Sequence, residues 1–377
     1  MPSTHVASIV HITDLHLFVD SNGTTRSSHE RSHLIRTLAR LGVKDLDFAS
    51  ADMTAAFSDA LRRAVDLERS VLPEGAPVVA AHTGDTEAFG SSDERHVYAG
   101  FSHLSRTVDA AGLRDAALAV YGNHDVWPGT IALFGLNGPH HDSQKHTIAD
   151  VVDLVGELPP SAPLRFPTAA GFDIVFVPIN TVNSHALRGA LLAYGRISPH
   201  PPSPTHTEAL DIVDGYHLDP NDLNIAVMHH PPHFYRPLTL RDRLGIGHLE
   251  DSSYVADRLA AAGIDLVLAG HRHRLDPAFR ETTHAAQPLR SPLHRTIAQM
   301  VAISPTIPTD ASAARHDPEG SPRSGLCVYQ IMASPESISL HRVIHPTDPE
   351  HDPEPIAEGA TVTGLSAGRT TTTGPTP

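Results

Sequence analysis

Five short clusters carry the side chains that could do chemistry: Asp14-Leu15-His16, Gly84-Asp85, Gly122-Asn123-His124-Asp125, His229-His230-Pro231-Pro232 and Gly270-His271-Arg272-His273. Asp14, Asp85 and Asn123 offer oxygen, while His16, His229, His271 and His273 offer nitrogen. That mixed set suits borderline divalent ions such as Mn²⁺, Fe²⁺ or Zn²⁺ rather than Ca²⁺ or a closed structural zinc site. Two such ions with a shared carboxylate and open coordination positions are what metal-assisted hydrolysis requires. The number of histidines does not carry this reading, because with 28 in 377 residues a His-x-His pair arises about twice by chance. The order of the five clusters, and where each falls, carries it.

Each cluster follows a short apolar run rich in β-branched residues: Val6 to Ile12, Val78 to Ala81, Leu118 to Tyr121, Ile225 to Met228 and Ile264 to Ala269. Such runs predict buried strands with polar residues gathered at their C-terminal ends. Between them, Glu30 to Leu41, Ala55 to Val71, Arg95 to Ala111 and Tyr254 to Ala262 place apolar residues at three- and four-residue spacing and predict helices. Alternation of strand and helix makes the class α/β. Phe172 to Pro178, Gln299 to Ile303, Gly325 to Met332 and Ser337 to Val343 read as further strands, the last two as an antiparallel hairpin around Ala333 to Glu336. A second sheet is expected from them.

Residues 1–344 read as one catalytic domain with loop insertions near 184–222 and 280–324, where Pro199 to Thr207 and Thr306 to Ser324 lack periodicity. The acidic, Pro- and Thr-rich stretch 345–377 is expected to be disordered. A net charge of −15 argues against a generic nucleic-acid or anionic-membrane partner, although bound cations would reverse the sign locally. The single cysteine, Cys327, sits in an apolar run and reads as a core thiol. Met1 to Val10 lacks a basic segment followed by an apolar stretch, and no run approaches the roughly 20 apolar residues of a membrane span, so a cytoplasmic protein is expected.

Taken in order, the five clusters resemble the motifs of the calcineurin-like metallophosphoesterase superfamily, and they extend over Asp14 to His273. The Leu15-His16-Leu17 context, His229-His230-Pro231-Pro232 and Gly270-His271-Arg272-His273 look most like the bacterial branch of cyclic-nucleotide and glycerophosphodiester phosphodiesterases. The resemblance implies a two-sheet β-sandwich flanked by helices in four αββα layers. It implies one metal on Asp14, His16, Asp85 and His273, and a second on Asp85, Asn123, His229 and His271, with Asp85 as the bridge. His229 is preferred to His230 because the family's ligand precedes the Pro by two positions, which leaves His230 a packing role or one behind the ligands. A small phosphorylated substrate, a diester slightly before a monoester, would be attacked in line by a hydroxide bridging the ions, with His124 as general acid.

Two positions depart from the family pattern. Ala88 stands where many relatives carry an Asp or Asn that orients the histidine, so Glu87 or Asp125 is the candidate to orient His124. Asn180-Thr181-Val182-Asn183-Ser184 replaces the Asp-Ser turn common after the corresponding strand. Trp127, Tyr235, Arg236 and Arg272 lie near the clusters and are candidate substrate contacts, although packing or plain exposure explains each more simply. Within the same superfamily a phosphoprotein phosphatase or a nuclease is the rival activity, and a metal-binding interaction module without catalysis is the rival class.

Overall fold

In the computed structural model, the described residues are 3–17, 51–86, 94–122, 125, 163–181, 216–232, 252–271, 298–302, 304–306, 324–334, 337–347, 354–355 and 360–366. The helix expected over Glu30 to Leu41 lies outside them. β1 (Thr4–Ile12), β2 (Val78–His82) and β3 (Ala117–Ala119) run parallel, and β9 (Gly325–Ala333) lies antiparallel on the other side of β1. The expected hairpin is present: β9 pairs with β10 (Ser337–Pro346) from Ile338 opposite Ala333 to Pro346 opposite Gly325. In the second sheet β5 (Asp173–Pro178), β6 (Leu223–Val227), β7 (Leu266–Ala269) and β8 (Ala298–Val301) are parallel. β4 (Leu164–Pro167), which the sequence did not suggest, closes its edge antiparallel to β5.

Alternation along the strands builds the layers. Ala7, Ile9, Val79 and Ala81 of the first sheet meet Ile174, Phe176, Ile225 and Leu266 of the second in one core between the sheets. A shift in register between His5 and Ala7 lets Val6 and Ala7 both enter that core. Val10, Ile12, Val78 and Ala80 face outward and are covered by Phe57, Leu61 and Ala64 of α1 (Ala51–Val71) and Phe101 and Leu104 of α2 (Glu94–Ala110). On the far side, Val175, Val177, Ala226 and Val267 pack against Val255 and Leu259 of α3 (Ser252–Ala262). The result is the four-layer α/β arrangement expected of the chain.

The stretch expected to be disordered contains strands. β11 (Glu354–Pro355) and β12 (Ala360–Ser366) pair with β10 beyond the hairpin, whereas β8 is the strand expected over Gln299 to Ile303. Composition registers a segment's low hydrophobicity but not the row of backbone donors and acceptors that an existing sheet edge offers it. Among the described residues, no helix is long and apolar enough to cross a membrane.

Polar groups are also built into the first sheet. Glu68 of α1 is buried and accepts from Ser8 Oγ at 2.6 Å and from Gln330 Nε2 at 3.1 Å, tying the helix to β1 and β9. Burial alone would raise its carboxyl, but His345, Ser8 and Gln330 outweigh that and hold it below the usual range. His11 of β1 spans Tyr329 Oη (3.3 Å) and Thr83 Oγ1 (3.0 Å), and His82 Nδ1 accepts from Gly84 N at 3.2 Å. Burial first, and neighbouring positive groups next, push both imidazoles down to about 3.

Because the unfolded chain protonates these histidines near pH 6.5, it binds more protons than the folded one between there and pH 3. Their contribution is therefore complete above about pH 6.5 and drains as the pH falls. At pH 5 the loss is about 2 kcal/mol for each. Denaturant unfolding of metal-free protein at pH 7.5 and pH 5 should show His11→Gln losing about 2 kcal/mol less than wild type over that interval. Equal losses would remove His11 as a cause.

Candidate metal centre

The site grows out of the C-terminal ends of β1, β2, β6 and β7. Beyond Ile12 and His82 the two chains continue side by side: Asp14 N donates to Gly84 O (2.9 Å), His16 N to Asp85 O (2.9 Å) and Leu17 N to Thr86 O (2.8 Å). Gly270 N donates to His229 O at 3.1 Å and ties the turns of the second sheet together in the same way.

Four residues other than glycine have positive φ among those described: Asp14 (51°), His16 (44°), Asp85 (56°) and His271 (71°). All four are expected ligands. A left-handed backbone costs about 1–2 kcal/mol for a residue with a Cβ, and such strain gathers where function needs a side chain aimed against backbone preference. The neighbouring glycines leave no room for alternatives. A Cβ on Gly84 would lie 2.6 Å from Gly122 N and 2.8 Å from His229 Nδ1, one on Gly122 would run into Asp85 Oδ1 and N, and one on Gly270 into Thr13 Oγ1.

Two groups of donors result. Asp14, His16 and Asp85 each bring one ligand atom within 4.8 Å of the others, as do His229, His230 and His271. Asp85 joins the groups, with Oδ2 3.2 Å from His229 Nε2 and 3.7 Å from His16 Nε2. His271 N donates to both oxygens of Asp14 at 3.0 Å, and Thr13 Oγ1 donates to Asp14 Oδ2 at 2.8 Å. His229 Nδ1 donates to the Thr83 carbonyl at 2.8 Å, which fixes its tautomer and turns the Nε2 lone pair toward Asp85 and His271 Nδ1, 3.1 Å away.

The electrostatics call for positive charge. Burial pushes the Asp14 carboxyl up, opposed by His229 and reinforced by Asp85. Burial pulls His229 down, but Asp85, Asp14 and the Thr83 carbonyl outweigh it and raise the imidazole to about 9. A proton on His229 is a poor substitute for a divalent cation among two buried carboxylates. Donor types, strain and the tight glycine cradle therefore all fit a metal pair.

Asp125, expected to assist His124, is buried and accepts from Gly122 N at 2.8 Å and Asp85 N at 3.1 Å, so it braces the turns of β2 and β3. Ser304 and Thr306 had no motif to announce them. Their hydroxyls donate to the carbonyls of Asp14 (2.7 Å) and Leu15 (2.6 Å), holding the strained turn after β1 from a stretch that composition marks as loop. Thr181 is another: its Oγ1 accepts from His230 N at 3.2 Å and lies 2.8 Å from His230 Nδ1. Cys327 is buried, with its side chain in the core between the sheets. Asn123, His124, His273, Glu87, Ala88, Trp127, Tyr235, Arg236 and Arg272 lie outside the described residues.

Comparison with known proteins agrees with this geometry. The profile of a family described as "Calcineurin-like phosphoesterase" matches residues 7–275. No curated protein matches the chain. Among solved structures, the purple acid phosphatase PPD1 from yellow lupin (Lupinus luteus) seeds is similar at 11% identity and TM-score 0.50, covering 94% of this chain and 54% of its own. The chain thus spans about half the length of that phosphatase. The calcineurin-like phosphoesterase YfkN from Bacillus subtilis (11% identity, TM-score 0.38, 98% and 94% covered) is also similar. So is GAP50, the anchor in the inner membrane complex of Plasmodium (11%, 0.42, 95% and 90%).

Proposed function

Because the chain belongs to the calcineurin-like phosphoesterase family, we propose that it hydrolyses a small phosphate ester, a diester in preference to a monoester, with two divalent metal ions. The observation that carries this reading is Asp85, whose carboxylate stands between two donor groups on strained turns. Asp14, His16, Asp85 and His273 would hold one ion, and Asp85, Asn123, His229 and His271 the other. Bound there, the ions supply a hydroxide nucleophile near neutral pH and neutralise charge growing on the phosphoryl oxygens. Mn²⁺, Fe²⁺ and Zn²⁺ all suit the donors.

The protein's own part is positional. The Thr83 carbonyl presents His229 as a neutral Nε2 donor, and the His271 amide and the Thr13 hydroxyl hold Asp14. His124, next in sequence to Asn123, donates a proton to the departing alkoxide oxygen. The cluster pattern favours substrates like those of the bacterial cyclic-nucleotide and glycerophosphodiester phosphodiesterases.

Assays on bis-p-nitrophenyl and p-nitrophenyl phosphate, and on a panel of natural diesters, with defined Mn²⁺, Fe²⁺ or Zn²⁺ test the reading. Turnover of diesters ahead of monoesters is expected. Two ions bound per chain with no turnover of any ester would replace the enzyme by a metal-binding interaction module. Loss of a general acid matters most for a poor leaving group, so His124→Ala should lower kcat about 10²–10⁴-fold on an alkyl diester and far less on a p-nitrophenyl ester. A full rate on the alkyl diester would remove His124 from that role.

A further inference from the structure

We infer that His230 supplies a third imidazole to the ion held by His229 and His271. The inference rests on the dinuclear reading above and extends it to a residue that the family pattern leaves outside the metal set. His230 is fully buried, and one ring nitrogen of each of the three histidines lies within 4.8 Å of the others. Its ring centroid is 4.8 Å from that of His229 and 4.5 Å from that of His271. The 3.1 Å between His229 Nε2 and His271 Nδ1 is close to the spacing of two nitrogens sharing one ion at about 2.1 Å from each.

The hydrogen bonds behind the rings support the same assignment. His229 is oriented by the Thr83 carbonyl, and His230 by Thr181, whose Oγ1 accepts the backbone N–H of His230 and stands 2.8 Å from Nδ1. With Nδ1–H donated to Thr181, Nε2 becomes the donor nitrogen. A partner behind the ring that fixes the tautomer is the usual companion of a ligating histidine. Thr181 belongs to the segment after β5 that departs from the family's Asp-Ser turn, so the support behind His230 is a feature of this chain. The two ions then sit in unlike surroundings: Asp14, His16 and Asp85 on one side, three imidazoles beside Asp85 on the other. Imidazole-rich coordination favours Zn²⁺ or Fe²⁺ over Mn²⁺ in the second position.

Titration of the full-length protein with Zn²⁺ against a competing chelator, and proton NMR of the Co²⁺-loaded protein, test this. His230→Ala should weaken one of the two ions by about tenfold or more, leave the other unchanged, and delete one of the strongly shifted, exchangeable ring N–H signals. Thr181→Val should keep that signal but speed its exchange with solvent, which identifies His230 in protein with an intact ligand set even if His230→Ala does not fold. Unchanged Zn²⁺ binding in folded His230→Ala, weakened binding with every shifted signal retained, or shifted signals indifferent to Thr181→Val would each overturn the inference. Wild type binding fewer than two ions would instead overturn the dinuclear reading itself.

Discussion

Asp85→Asn should leave a folded protein that holds neither ion firmly and hydrolyses phosphate esters at least about a thousandfold more slowly, equivalent to about 4 kcal/mol of lost transition-state stabilisation. The substitution keeps shape and removes one negative charge from the point where the donor groups meet, 3.2 Å from His229 and 3.7 Å from His16. It also removes the carboxylate that most strongly raises His229 and a repulsive neighbour of Asp14. Losing the attraction to His229 and relieving the repulsion on Asp14 oppose each other, so metal-free stability should change little, which separates a site effect from misfolding. Metal content after desalting, kcat/KM on a diester and metal-free melting are the three measurements. Two retained ions with a rate above a tenth of wild type would refute the bridging role.

Gly122→Ala should cost about 3 kcal/mol of metal-free stability and abolish metal binding, the second-largest effect expected. Its Cβ would occupy space already taken by the Asp85 carboxylate and backbone amide, and backbone cannot swing aside as the end of a long side chain can. Gly84 packs against Gly122 from the other side, with φ of +100°, so neither turn can retreat. Gly171→Ala is the control: its φ is +84°, yet nothing lies within 4 Å of the added methyl, so backbone strain of about 1 kcal/mol is the whole cost. Urea unfolding of both variants decides the matter. Equal losses would show that conformation, and not close approach, makes Gly122 necessary.

Much of this was legible beforehand because the relevant signals are local. Uninterrupted apolar runs announced β1, β2, β6 and β7, and three-to-four spacing announced α1, α2 and α3 within a few residues of their ends. Less local features were lost. β4 is half-exposed and contains Arg165, whose pairing with Asp222 at 2.9 Å no pattern reveals. Ser304 and Thr306 lie some 290 residues from the carbonyls they brace, in a stretch whose composition reads as loop.

The sequence by itself determined the donor types, their order, their attachment to strand ends and the α/β class, because each follows from residue identity and short-range periodicity. Only the tertiary structure decided how closely the Asp85 carboxylate approaches each donor group, which backbones bear strain, and what His230 and Asp125 touch. Those depend on the register between β1 and β2 and on the closeness of turns far apart in the chain. The physical reason is that a ligand's chemistry belongs to one side chain, whereas its aim is set by packing and hydrogen bonds from other strands.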